Sequence, residues 1–250
     1  MLLIILQRPK GERCMWTIGD IKAKGKTAFK ANYWKSVLVA FILSIFTAGG
    51  AGAGRASGSE EDITSSLNSA YGSLDPDAQA TFLAILLGAF GVSLVIGLLI
   101  HIFLSNPIQV GCYRFFKKNV EEQNAEVGTI KEGFGGYGHT FITLLLRDIF
   151  LGLWTCLFVI PGLIKIYSYR MVPYIIKDNP ELSATEVITK SREMMNGNKW
   201  RAFLLDLSFI GWIFLGCITC GIVLVFWTAP YMQSADAALY LELKNGQQPQ

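Results

Sequence analysis

Five charged residues stand inside or beside long apolar segments. Arg147 and Asp148 interrupt segment 141–164, Arg170 follows it, Asp206 interrupts 203–229, and Asp236 lies in the last apolar stretch. A charge at bilayer depth costs on the order of 3 kcal/mol or more unless it is paired or hydrated. These side chains are therefore expected to meet, with Arg170 pairing with Asp148 or Asp206. Two kinds of chemistry suit such a set. One is a structural ion-pair network that fixes helix register. The other is a polar path for an ion, a peptide or a lipid headgroup, which Gln233 and Asp236 would extend. Lys165 lies near an outer end and can snorkel to water instead.

Other motifs carry less. Gly133-Phe134-Gly135-Gly136-Tyr137-Gly138 has the GxGxxG spacing. That fingerprint needs a preceding strand in a βαβ unit, and here a polar connector precedes it, so a hinge is expected. Cys217-Ile218-Thr219-Cys220 is a CxxC without the further ligands that zinc needs; packing is the expected role, with a disulfide conceivable. His101 and His139 are placed near opposite membrane faces. No nucleophile–base arrangement is visible. No catalytic, cofactor or metal residue is assigned, and the chain is not expected to be an enzyme.

The elements that must position these charges are helices. Of 250 residues, 52% are apolar and 16% charged, against roughly 25% charged in soluble domains. A spanning helix needs about 20 mainly apolar residues. The expectation is an all-α polytopic transmembrane bundle in one membrane domain, 15–244. Its six spans are 36–51, 78–104, 139–160, 163–177, 199–218 and 222–240. Residues 1–14 are an extension or tail, with Met15 the expected natural start, and 245–250 form a polar tail. Loop 52–77 is acidic and glycine-rich, and is expected outside the cell.

Charge sets the orientation. Lys and Arg gather near cytoplasmic span ends, and here they occupy 22–35, 114–131 and 177–201. Both termini are thus expected in the cytoplasm. Lys22, Lys24, Lys26, Lys30 and Lys35 mark a basic amphipathic helix suited to anionic inner-leaflet lipid, at roughly 1 kcal/mol per basic residue. The net charge of +3 implies no nucleic-acid partner. The expected partners are the bilayer and a membrane protein or peptide.

A repeat underlies the plan. Lys24, Asn32, Trp34 and Lys35 match Lys190, Asn198, Trp200 and Arg201 in order and spacing. Pro107, Pro173 and Pro230 mark the second span of each hairpin, and Val172-Pro173-Tyr174 parallels Ala229-Pro230-Tyr231. Three hairpins are expected, each with an amphipathic helix on the cytoplasmic side.

Several stretches resemble a known family. These are Pro161-Gly162 through Tyr169, Met171-Val172-Pro173-Tyr174, Asp178-Asn179-Pro180-Glu181-Leu182-Ser183-Ala184, Ser191-Arg192-Glu193-Met194-Met195-Asn196-Gly197 and Trp200-Arg201. With 204–212, Pro230-Tyr231, Thr17-Ile18 and Asn32-Tyr33-Trp34-Lys35, they resemble the bacterial domain of unknown function 975 over 15–244. That family is similar in pattern to the membrane domain of some glycerophosphodiester phosphodiesterases. The resemblance implies a multi-pass protein of the bacterial cytoplasmic membrane, with no established activity and no site residues to carry over. The functional expectation is a non-enzymatic membrane protein, acting by interaction, envelope maintenance or protection against membrane-active peptides. The alternatives are a small transporter or permease subunit, and then a lipid-modifying enzyme.

Overall fold

The computed structural model describes residues 16–52, 68–69, 71–157 and 159–246. The expected tail 1–14, most of loop 52–77 and the end of tail 245–250 lie outside them. Among the described residues all regular structure is helical.

The first helices are α1 (Ile18–Ala31), α2 (Tyr33–Gly52) and α3 (Pro76–Ile100). A π-helical turn, His101–Ser105, joins α3 to α4 (Asn106–Glu122). A 3-10 helix, Val127–Phe134, precedes α5 (Tyr137–Leu157), α6 (Val159–Ser168) and α7 (Val172–Asp178). Then come α8 (Ala184–Met194), α9 (Lys199–Leu207) and α10 (Ile210–Ile218). A second π turn, Leu224–Thr228, leads into α11 (Ala229–Asn245).

The repeat is built into the caps and the core. Thr17 caps α1, its Oγ1 accepting from the Asp20 N–H at 3.1 Å. Ser183 caps α8 through a capping box with Glu186, so both helices open on a hydroxyl with an acid three residues on. From there the two copies stay in register. Ile21 and Val187 are buried, as are Phe29 and Met195, then Val39 and Leu205, then Leu43 and Phe209. Trp34 and Trp200, at matching positions, are 72% and 67% exposed.

Each proline opens an inner helix: Pro107 in α4, Pro173 in α7 and Pro230 in α11. Proline lacks an N–H and strands the carbonyl four residues earlier. At two of the three sites a tyrosine from another repeat satisfies that carbonyl. Tyr137 donates to the Phe103 carbonyl at 3.1 Å, and Tyr33 donates to the Phe226 carbonyl at 3.0 Å. At the third, the Tyr169 carbonyl takes the Val172 N–H at 3.2 Å. Each bond to a stranded carbonyl is worth about 1 kcal/mol. We expect Tyr33→Phe and Tyr137→Phe each to lower thermal stability by that amount, in a scan of purified protein.

The inner helices α4, α7 and α11 form the centre. The Tyr174 ring lies 5.0 Å from that of Tyr113 and 4.9 Å from that of Tyr240. An outer layer wraps them: α1 on α11, the 3-10 helix on α4, and α8 on α7. These contacts are close because glycine permits it. A Cβ on Gly25 of α1 would stand 2.7 Å from the Ala235 backbone of α11. A Cβ on Gly111 of α4 would run into the backbone of Ile130. Backbone cannot step aside, so Gly25→Ala and Gly111→Ala should each cost about 1–3 kcal/mol, read as lost melting temperature.

Burial divides the molecule in two. The buried apolar residues concentrate in α1, α4, α7, α8, α11 and the base of α2. The hairpin arms expose theirs: Leu87 and Phe90 of α3, Ile149 and Leu153 of α5, Ile164 of α6, Phe214 of α10. Among the described residues three helical segments, Pro76–Gly97, Tyr137–Leu157 and Lys199–Ile218, are long and apolar enough to cross a membrane. A fourth is added if α1 and α2, bent by 106°, count as one. The expected span 163–177 breaks at Tyr169–Met171 ahead of Pro173, whereas 222–240 is helical throughout, a π turn at Leu224–Thr228 running directly into α11.

Candidate functional site

The charges of the apolar segments fall into two groups. Arg170, between α6 and α7, holds two carboxylates at once. Its Nη1 and Nη2 donate to the two oxygens of Asp206 on α9, each at 2.8 Å. Its Nε donates to Asp236 Oδ1 on α11 at 2.7 Å. The Tyr167 hydroxyl adds a bond to Asp206 Oδ2 at 3.0 Å. A planar guanidinium does this where an ammonium could not, since its donors form a rigid fork. The node ties the second hairpin to both arms of the third.

Asp148 is not part of it. Arg147 folds back on Asp148, with Nε 2.8 Å and Nη2 2.7 Å from the same oxygen. The pairing of Arg170 with Asp148, one of the two expected, is not made, because Asp206 and Asp236 take all three guanidinium nitrogens. Arg147 still joins Arg170, Asp206 and Asp236 in lining a cavity of ≈ 290 Å³. Tyr113, Tyr167, Tyr169, Leu151, Ile166 and Pro173 complete its walls. Gln233 stays apart, its Oε1 buried and without a hydrogen-bond partner among the described residues. Lys165 lies 4.5 Å over the Trp154 ring.

The basic helix sits differently from its sequence reading. The apolar face of α1, namely Ile21, Gly25, Ala28 and Phe29, is buried against α11, so it is not free to enter a lipid surface. Lys22 donates to the Ser208 carbonyl at 3.1 Å, which completes the end of α9, and lies 4.5 Å over Phe209. Lys24 pairs with Glu242 at 2.5 Å, and Lys35 reaches Asn124 at 3.5 Å. Lys26 and Lys30 point outward, exposed.

The glycine motif is not a free hinge at its start. Gly133 is buried in the 3-10 helix, where a Cβ would strike the Pro107 carbonyl and Gly111. Gly136 makes the turn into α5 with φ +64°. Cys217 and Cys220 are exposed free thiols, and Cys220 itself takes a φ of 50° at the tip of the third hairpin. Among the described residues no group of His, Cys, Asp and Glu is gathered as metal ligands would be.

A second polar centre escaped the sequence reading. The Asp178 side chain, 3% exposed, closes the far end of the inner helices. It accepts from Lys117 of α4 at 2.6 Å, from the Tyr240 hydroxyl of α11 at 2.8 Å, and from Lys244 of α11. Arg114 stands 3.8 Å away. Burial opposes ionisation of this carboxyl, but the hydrogen bonds from Lys117, Lys244 and Tyr240 outweigh it. They hold Asp178 below the usual carboxylate range. Glu132 behaves likewise: burial opposes its ionisation, and the hydrogen bonds and charges of Lys118 and Arg114 outweigh that and hold it below its ordinary value. The partners of Asp178 come from helices far apart in sequence, so no local spacing signals them.

The family model described as Protein of unknown function (DUF975) matches residues 157–247. No curated protein and no solved structure matches the chain. The matched segment runs from the end of α5 through α11 and contains Arg170, Asp206 and Asp236, and also Asp178 with Tyr240 and Lys244, while Lys117 and Arg114 of the Asp178 centre lie outside it. Residues 157–247 are thus similar to the DUF975 family, proteins of unknown function.

Proposed function

We propose that the chain is a multi-pass integral membrane protein of a bacterial cytoplasmic membrane, acting without catalysis by interaction within the bilayer. One observation carries the reading. Large apolar side chains are exposed along the hairpin arms and buried in the helices beneath them. A contiguous apolar surface of that extent is stable against lipid and unstable against water. In this reading the arms cross in three hairpins with both termini inside, making six crossings. The return limbs tolerate π turns and prolines because neighbouring tyrosines satisfy the freed carbonyls. Lys26 and Lys30, the outward lysines of α1, then face anionic headgroups. Alkaline carbonate extraction of membranes tests the reading: the chain should stay with the pellet, and release into the supernatant would refute it.

The cavity beside Arg170 favours a second reading, a small permease with a polar path. Reconstituted vesicles would decide it. Solute or ion flux lost in Asp206→Asn, with the fold intact, supports a path, and flux indistinguishable from empty vesicles removes it.

A further inference from the structure

The Arg170 node is not electrically closed. One guanidinium faces two carboxylates, and a surplus charge away from water demands a partner. Asp206 uses both oxygens, on Arg170 and Tyr167. Asp236 uses Oδ1 alone. Among the described residues no hydrogen bond reaches its Oδ2, although the residue is 9% exposed and lines the cavity. The cavity therefore offers an unfilled anionic acceptor.

It also offers donors. Arg147 spends Nε and Nη2 on Asp148, and no hydrogen bond among the described residues occupies its Nη1. Tyr113, Tyr167 and Tyr169 line it with aromatic side chains, and Arg170 and Lys165 already lie over the Tyr167 and Tyr169 rings, at 5.7 and 5.9 Å. At ≈ 290 Å³ the cavity is at the small end of ligand pockets, about 300–1,000 Å³. It has room for a headgroup and none for acyl chains. Ile166 on its wall is 49% exposed on the outward apolar surface, which gives chains a way out.

We propose that this cavity binds a small zwitterion with a primary ammonium and an anion, in the form of the headgroup of an ethanolamine phospholipid. The ammonium meets the free oxygen of Asp236 and the phosphate meets Arg147. A choline headgroup carries the same charges but cannot donate a hydrogen bond to Asp236, so it binds less well. The inference rests on the membrane-embedded reading, which carbonate extraction tests by itself.

The full chain would be reconstituted into vesicles of equal ethanolamine and choline phospholipid, re-extracted in mild detergent, and its retained lipid quantified by mass spectrometry. We expect ethanolamine lipid to be enriched about tenfold, equivalent to about 1.4 kcal/mol. Asp236→Asn keeps an acceptor for Arg170 Nε and leaves a neutral Arg170–Asp206 pair, so it should fold and lose the enrichment. Arg147→Gln should lower retention of both lipids. Equal retention of the two lipids by the wild type with no binding of added phosphoethanolamine, or undiminished enrichment in Asp236→Asn, would overturn the proposal. Should Asp236→Asn not fold, soluble phosphoethanolamine added to the wild type decides instead. Displacement of bound lipid supports the site, and no displacement at saturating solute contradicts it. Binding of phosphoethanolamine to lipid-free protein that retains no ethanolamine lipid would support the same ammonium–anion site with a solute as its source.

Discussion

Arg170→Gln should lower stability by about 3 kcal/mol, seen as a fall in membrane accumulation and in melting temperature after extraction. Removing one partner of a buried pair costs about 3–5 kcal/mol because the other charge is left stranded. Here two are stranded, Asp206 and Asp236. The lower end applies because the Asp206 side chain keeps 30% exposure, whereas Asp236 keeps 13%. The cost lies in the orphaned carboxylates and not in the missing arginine. Arg170→Gln combined with Asp206→Asn and Asp236→Asn should therefore regain most of the loss. Arg170→Lys should fall between, since one ammonium cannot fork onto Asp206 and reach Asp236 as well. If Arg170→Gln melts with the wild type, the node does not hold the hairpins together.

Asp178→Asn should be at least as damaging, about 3–5 kcal/mol, because its carboxylate is 3% exposed and neutralises Lys117 and Lys244 together. It also carries a pH signature. Its folded-state carboxyl is held below the ordinary range by those partners, against burial. A group depressed on folding contributes in full above its unfolded value of about 3.9, and its contribution fades as pH falls through the lower folded value. Wild-type melting should thus decline as pH drops below about 4. Asp178→Asn should start lower and decline less over that window, which a pH series of thermal scans would show. An unchanged slope would mean that Asp178 is not the acid-sensitive clasp of α4, α7 and α11.

Some of this was legible in the sequence because it is local. Apolar runs and the three proline landmarks each announce themselves within a few residues. The Trp34–Trp200 match revealed the repeat, and the structure extends it to the Thr17 cap and to alternate buried positions on α1 and α8. What stayed hidden is long-range. Asp236 could be named as a charge in an apolar stretch, but its union with Asp206 on one guanidinium depends on how three helices cross. Asp178 carried no local signal, because Lys117 and Lys244 lie on other helices. The amphipathic face of α1 signalled burial correctly but not against what: protein, through Gly25 and Ala235, in place of lipid. Hydropathy placed a span at 163–177 without registering the backbone break at Tyr169–Met171 ahead of Pro173.

Thiol accessibility tests the membrane arrangement most directly, using cysteines already in the chain. Cys156 and Cys220 lie on the second and third hairpins near their turns, exposed, while Cys112 is buried in α4. Intact cells would be treated with a membrane-impermeant maleimide, and labelling assigned by single-cysteine variants. Six crossings with both ends inside predict labelling of Cys220, and of Cys156 more slowly, with Cys112 protected until the protein is unfolded. Labelling of Cys220 only after the cells are opened would contradict that topology.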